Sequence, residues 1–94
     1  MKTISSIEWN DTIEKLGRAE FTQKEKDFLD SYFVNINRSP NAGHIKCIDK
    51  STINLSKLND EWFLMAINNQ KFKGLYLIDQ FDEFVNFIKT NQIC

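Results

Sequence analysis

The stretches Glu61-Trp62-Phe63-Leu64-Met65-Ala66-Ile67 and Phe72-Lys73-Gly74-Leu75-Tyr76-Leu77-Ile78 are apolar at nearly consecutive positions, and Asn68-Asn69-Gln70-Lys71 joins them. Asn tolerates the positive φ of tight turns, so the segment predicts a β-hairpin. Near-continuous hydrophobicity marks strands covered on both faces. Upstream, Ile45 and Cys47 alternate with Lys46, and Asp49-Lys50-Ser51 turns into Ile53, Leu55 and Lys57 on one strand face. Four strands in meander order follow.

Helical spacing brackets these strands. Phe81, Phe84, Val85 and Ile88 form one apolar stripe with Phe87 beside it, and Asp79 is the expected cap. On the N-terminal side, Thr22 and Glu25 have capping-box spacing, and Phe28, Leu29, Tyr32, Phe33 and Ile36 follow as a stripe. This predicts a helix from Gln23 to Ile36, ended by the loop Arg38-Ser39-Pro40-Asn41-Ala42-Gly43. An earlier short helix carries Ile13 and Leu16, with Asn10 or Asp11 as cap, Trp9 as staple and Gly17 as stop. Residues from Thr90 to Cys94 read as a loose tail.

The expected architecture is therefore α+β. An antiparallel sheet of about four strands in the C-terminal half packs with two N-terminal helices and one C-terminal helix. Residues 1–94 make a single domain, a size that buries a thin but real core. If the helices share one sheet face, the hairpin offers apolar side chains on the other. A crossing helix or another chain, including a second copy in a homodimer, would cover them.

Composition narrows the function. Net charge is −1 and both signs are evenly mixed, which disfavours nucleic acid. A weak nucleic-acid surface built from Lys46, Lys50, Lys57, Lys71 and Lys73 is the third-ranked reading. No leader or membrane span is visible. Cys47 and Cys94 could form one bridge, but with Cys94 in the tail they read more simply as free thiols of a reducing, cytoplasmic compartment. The abundance of Lys, Asn and Ile fits an AT-rich genome such as a phage's.

Chemistry-bearing patterns are sparse. A single His and no CxxC argue against a metal, and no cofactor is expected. His44 and Cys47 are three apart, so on a strand they face opposite ways. Gly17, Gly43 and Gly74 match no phosphate-cradling loop. The acids Asp60, Glu61, Asp79, Asp82 and Glu83 stand out. Their plain reading is turn and helix-start chemistry, and their functional reading is a contact surface or an acid–base pair.

The segment Asp60–Phe63 through Asp79–Asp82 resembles the strand–hairpin–helix ends of small viral and bacterial proteins; it covers about a quarter of the chain and implies no activity. The leading expectation is a small non-catalytic protein-binding module, such as a phage-type inhibitor of a host defence protein or an immunity-type protein. Its candidate contacts are Trp9, Asp60, Glu61, Asp82 and Glu83. The alternative is a small ligand-binding domain or enzyme using Asp60, Glu61, Asp79 and Asp82.

Overall fold

Side-chain alternation in the C-terminal half builds most of one antiparallel sheet. The computed structural model describes residues 1–94 in the order β1 (Lys2–Ile4), α1 (Ser6–Leu16), α2 (Gln23–Tyr32), β2 (Ile36–Arg38), β3 (Ala42–Lys46), β4 (Thr52–Leu58), β5 (Trp62–Asn68), β6 (Lys73–Asp79) and α3 (Phe81–Thr90). The sheet has six strands in the order β1-β6-β5-β4-β3-β2, all antiparallel neighbours. The expected meander is β3 to β6. Two three-residue strands extend it at the edges, each too short to show a period.

One of these edges corrects the second helix. It starts at Gln23 with the Thr22–Glu25 capping box, but it stops at Tyr32 instead of continuing to Ile36. Ile36 stands opposite Ile45 in the sheet. Val34 and Ile36, β-branched and flanking Asn35, suit extended chain better than a last helical turn. The first helix begins earlier than expected, because Ser5 and Glu8 form a reciprocal capping box ahead of Asn10 and Asp11. Gly17, at φ +78°, ends it as expected.

Asp79 does not cap the last helix. It is the final residue of β6, opposite Trp62, and the Gln80 N–H donates to the Glu61 carbonyl at 2.8 Å. The chain enters α3 through Gln80 at φ +69°, with no side-chain cap. The residues after α3 are not loose. Ile93 is buried in the main core, and Cys94 is covalently held.

The helices take opposite faces. Helices α2 and α3 cover one face, where Leu29, Phe33, Phe84, Phe87 and Ile88 meet Ile45, Ile53, Leu55, Phe63, Met65, Ile67 and Ile78. Phe63 and Phe84 stack with centroids 4.6 Å apart. On the other face α1 sets Trp9, Ile13 and Leu16 against Ile4, Leu58, Leu64 and Leu77. Phe63, Leu64 and Met65 are consecutive and fully buried, so β5 is covered on both faces, as its pattern predicts. The apolar part of the second face is thus covered by this chain's own helix. The rest carries Asn37, His44, Lys46, Asn54 and Asn68, all exposed.

The connection from α1 to α2 must pass from one face to the other. It does so beyond the end of β3, along the free end of β4. Arg18 bridges Leu58, the Ala19 N–H donates to the Lys57 carbonyl at 3.1 Å, and the Asn59 N–H donates to the Gly17 carbonyl at 2.7 Å.

Lys57 is the unexpected core residue. Expected as a surface lysine, it has no exposed area, because β4 turns it inward with Ile53 and Leu55. Its Nζ donates to both carboxylate oxygens of Glu25 at 2.5 Å and lies 4.6 Å from the centroid of Phe63. The same carboxylate accepts the Thr22 N–H at 2.9 Å, so the capping box and the ion pair share one group.

Removing one member of such a pair strands a buried charge, whereas removing both does not. Lys57→Met is therefore expected to destabilise the fold by about 3–5 kcal/mol in urea unfolding. Adding Glu25→Gln, which keeps an acceptor for the cap, should recover more than half of that loss. A double variant as unstable as the single one would contradict this account.

Candidate functional site

Three surfaces deserve comparison, and the strand register positions all of them. The first is the acidic end. Asp60 and Glu61 open β5, Asp79 closes β6 opposite Trp62, and Asp82 and Glu83 lie in the first turn of α3. The five acids therefore gather at one end of the sheet, with Asp60, Glu61, Asp82 and Glu83 exposed. Asp79 is half-buried, and its Oδ1 has no hydrogen-bond partner. Among the larger clefts, these acids contribute Asp82 alone, to the shallow one between α2 and α3, beside Lys24 and Lys89. No group of three or more His, Cys, Asp or Glu side chains is placed to hold a metal ion. Trp9, the remaining candidate contact, lies within α1 and not ahead of its cap as a staple; it is half-buried and packs against the second sheet face.

The second surface was not legible as a site in the sequence. An apolar cleft of about 400 Å³ opens where the end of α2 meets the β3–β4 turn. Tyr32, Phe33, Ile45 and Cys47 form its walls, and Val34 and Ile48 stand on its rim. Val34 is 95% exposed and Ile48 99%. Local chemistry forces both positions. Val34 leaves the helix one residue past its cap, and Ile48 sits in a tight hairpin turn whose Lys50 takes φ +70°. The turn is closed by Lys50 N–H to the Cys47 carbonyl at 3.0 Å and by Asp49 Oδ1, which accepts the Ser51 N–H at 2.9 Å.

Cys47 and Cys94 are joined by a disulfide, with Cα atoms 5.0 Å apart. This corrects the reading of two free thiols and removes the reason it gave for a reducing compartment. The bond forms because Ile93 enters the core and fixes the segment after α3 against the end of β3. It also makes Cys94 part of the cleft wall.

The third surface is the uncovered part of the sheet's second face. There His44 Nδ1 lies 2.6 Å from Asn54 Oδ1, across the β3–β4 pair. His44 and Cys47 face opposite ways, as expected. No helix of the chain is long and apolar enough to cross a membrane.

Three carboxylates carry lowered pKa values, all through local hydrogen bonds. Paired bonds from Arg38 at 2.8 Å hold Asp30 down and tie edge strand β2 to α2. The Ser5 backbone N–H does the same for Glu8, and Ser51 for Asp49.

Comparison of the chain with protein-family models, with curated proteins and with solved structures finds no match.

Two outcomes follow from these groups. The disulfide closes a loop with a sequence separation of 47 residues. On the chain-entropy model such a loop contributes roughly 4 kcal/mol. The urea midpoint should fall on reduction and fall equally in Cys94→Ser, and an unchanged midpoint would show that the loop is not closed. A carboxylate lowered in the folded state stabilises above its unfolded pKa, and that contribution is lost as pH falls through the folded value. Stability should thus decline as pH drops below the usual carboxylate range, about 4. Arg38→Gln should flatten part of that decline in acid titrations followed by circular dichroism.

Proposed function

We propose that this chain is a small non-catalytic protein-binding module whose contact surface is the apolar cleft rimmed by Val34 and Ile48. The observation that carries this reading is their near-complete exposure beside a concave apolar wall. Isolated exposed aliphatics are ordinary, but two that flank a cleft make a patch that a partner's apolar side chain can fill. The fold supports the reading in a second way. Residues on both sides of the patch are fixed, by the Cys47–Cys94 bond on one side and the buried Phe33 on the other. Little ordering remains to oppose association.

An inhibitor or immunity-type role belongs to this reading, since such proteins act by occupying another protein's surface. Dimerisation through a sheet face is not part of it, because α1 already covers the apolar portion of that face.

Because both rim side chains are in water, Val34→Asp and Ile48→Asp should leave thermal stability within about 0.5 kcal/mol. Each should weaken partner capture by at least tenfold, a hot-spot-sized loss. The measurement is quantitative affinity capture from the native host with wild-type and variant baits side by side. Equal recovery of the same partner by all three baits would sink the proposal.

A further inference from the structure

The strand register gathers four lysines that are scattered along the sequence. Lys46, Thr52, Asn68 and Lys73 stand in one row across β3, β4, β5 and β6, because Lys46 pairs with Thr52, Thr52 with Asn68, and Asn68 with Lys73. The row lies on the uncovered face, opposite the side taken by α2 and α3. Lys50 and Lys71 sit in the two hairpin turns that close the same end of the sheet, and all four lysines are exposed. The two ion pairs of the structure are Arg38–Asp30 and Lys57–Glu25, so none of the four has a carboxylate partner.

Two hollows run along this end. One, about 270 Å³, sets Thr52, Asn54, Asn68 and Lys73 around the apolar Ala66, Ile67 and Leu75. The other, about 180 Å³, is lined by polar residues alone, including Lys50, Ser51, Asn68, Asn69 and Lys73. They share Asn68 and Lys73 and so form one trough. Asp49 is the single acid beside it, and its carboxylate is engaged by the Ser51 N–H of its own turn.

We propose that this trough binds single-stranded nucleic acid by its phosphodiester backbone. The net charge of −1 hides the site because Asp60, Glu61, Asp79, Asp82 and Glu83 gather at the opposite end of β5 and β6. Six residue steps along β5 place those acids about 20 Å away. That is more than twice the screening length of about 8 Å at physiological ionic strength, so the lysines act as a local positive field. Three interstrand spacings put Lys46 and Lys73 about 14 Å apart. That spans roughly four nucleotides at the ~3.4 Å rise of a stacked strand.

Chemistry selects the occupant. The carboxamides of Asn54 and Asn68 and the hydroxyl of Thr52 both donate and accept, which suits sugar and base edges as well as phosphate. The carboxylates of an acidic protein segment would use only the donors. A sheet face also lacks the protruding helix or ribbon that enters a duplex groove. Without an aromatic ring in the trough to stack on a base, binding is independent of sequence and rests on charge.

The test is fluorescence anisotropy with a labelled twelve-nucleotide oligothymidine, titrated between 20 and 200 mM salt. Wild type should bind, with affinity falling by a slope of about −0.7 for each phosphate neutralised. Lys46→Glu with Lys73→Glu should bind at least tenfold more weakly at low salt and lose more than ~1 from the slope. Lys24→Glu with Lys89→Glu, on the opposite face, should bind like wild type, and melting temperatures of both variants should match it. Absence of binding at 20 mM salt would overturn the proposal, as would equal binding by the Lys46/Lys73 variant. Tighter binding of a labelled ten-residue polyglutamate than of the oligonucleotide would overturn it in favour of an acidic protein ligand.

Discussion

The Glu25–Lys57 pair is the constraint that the rest of the structure accommodates. It joins the first turn of α2 to the free end of β4, and each partner has a second task. Glu25 satisfies a backbone donor at the helix start. Lys57 uses its own backbone to fix two passing segments, donating its N–H to the Asn41 carbonyl and accepting the Ala19 N–H. The helix start, the connection from α1 and the loop before β3 therefore converge on one residue. A buried ion pair gains little net energy over an apolar pair of the same volume. Its effect here is positional, because only one placement of α2 on the sheet pairs both charges.

How much of this was legible depended on the length over which a pattern repeats. The β5–β6 hairpin, the Thr22–Glu25 box and the Phe81–Ile88 stripe each repeat their signal over a turn or more, and each was read within a residue or two. The edge strands Lys2–Ile4 and Ile36–Arg38 are three residues long and hold their place by pairing with β6 and β3, which no local pattern reveals. The inward turn of Lys57 was implied by its alternation with Ile53 and Leu55. What hid it was the residue type, since a lysine is buried only where a partner 32 positions away meets it. The bond between Cys47 and Cys94 was open in the sequence, and burial of Ile93 decided it.

The candidate surfaces divide along the same line. The acids at the β5 start and α3 start could be placed near one another from element order alone. The apolar cleft depends on a helix that stops four residues early, so an amphipathic stripe drawn to Ile36 concealed it. Val34, inside the span drawn as helix but not on its stripe, is nearly free in water.

The edge pairing of β1 has a consequence for biosynthesis. Lys2 lies opposite Leu77, so β1 and α1 leave the ribosome long before their place in the sheet exists. Until β4 and β5 emerge, Ile4, Trp9, Ile13 and Leu16 have none of the partners they use in the finished molecule except one another, and Leu77 follows only with β6. Contacts so distant in sequence form late, because a long loop must close first. Until then the nascent N-terminal segment carries an exposed apolar stripe, which leaves it open to capture by chaperones.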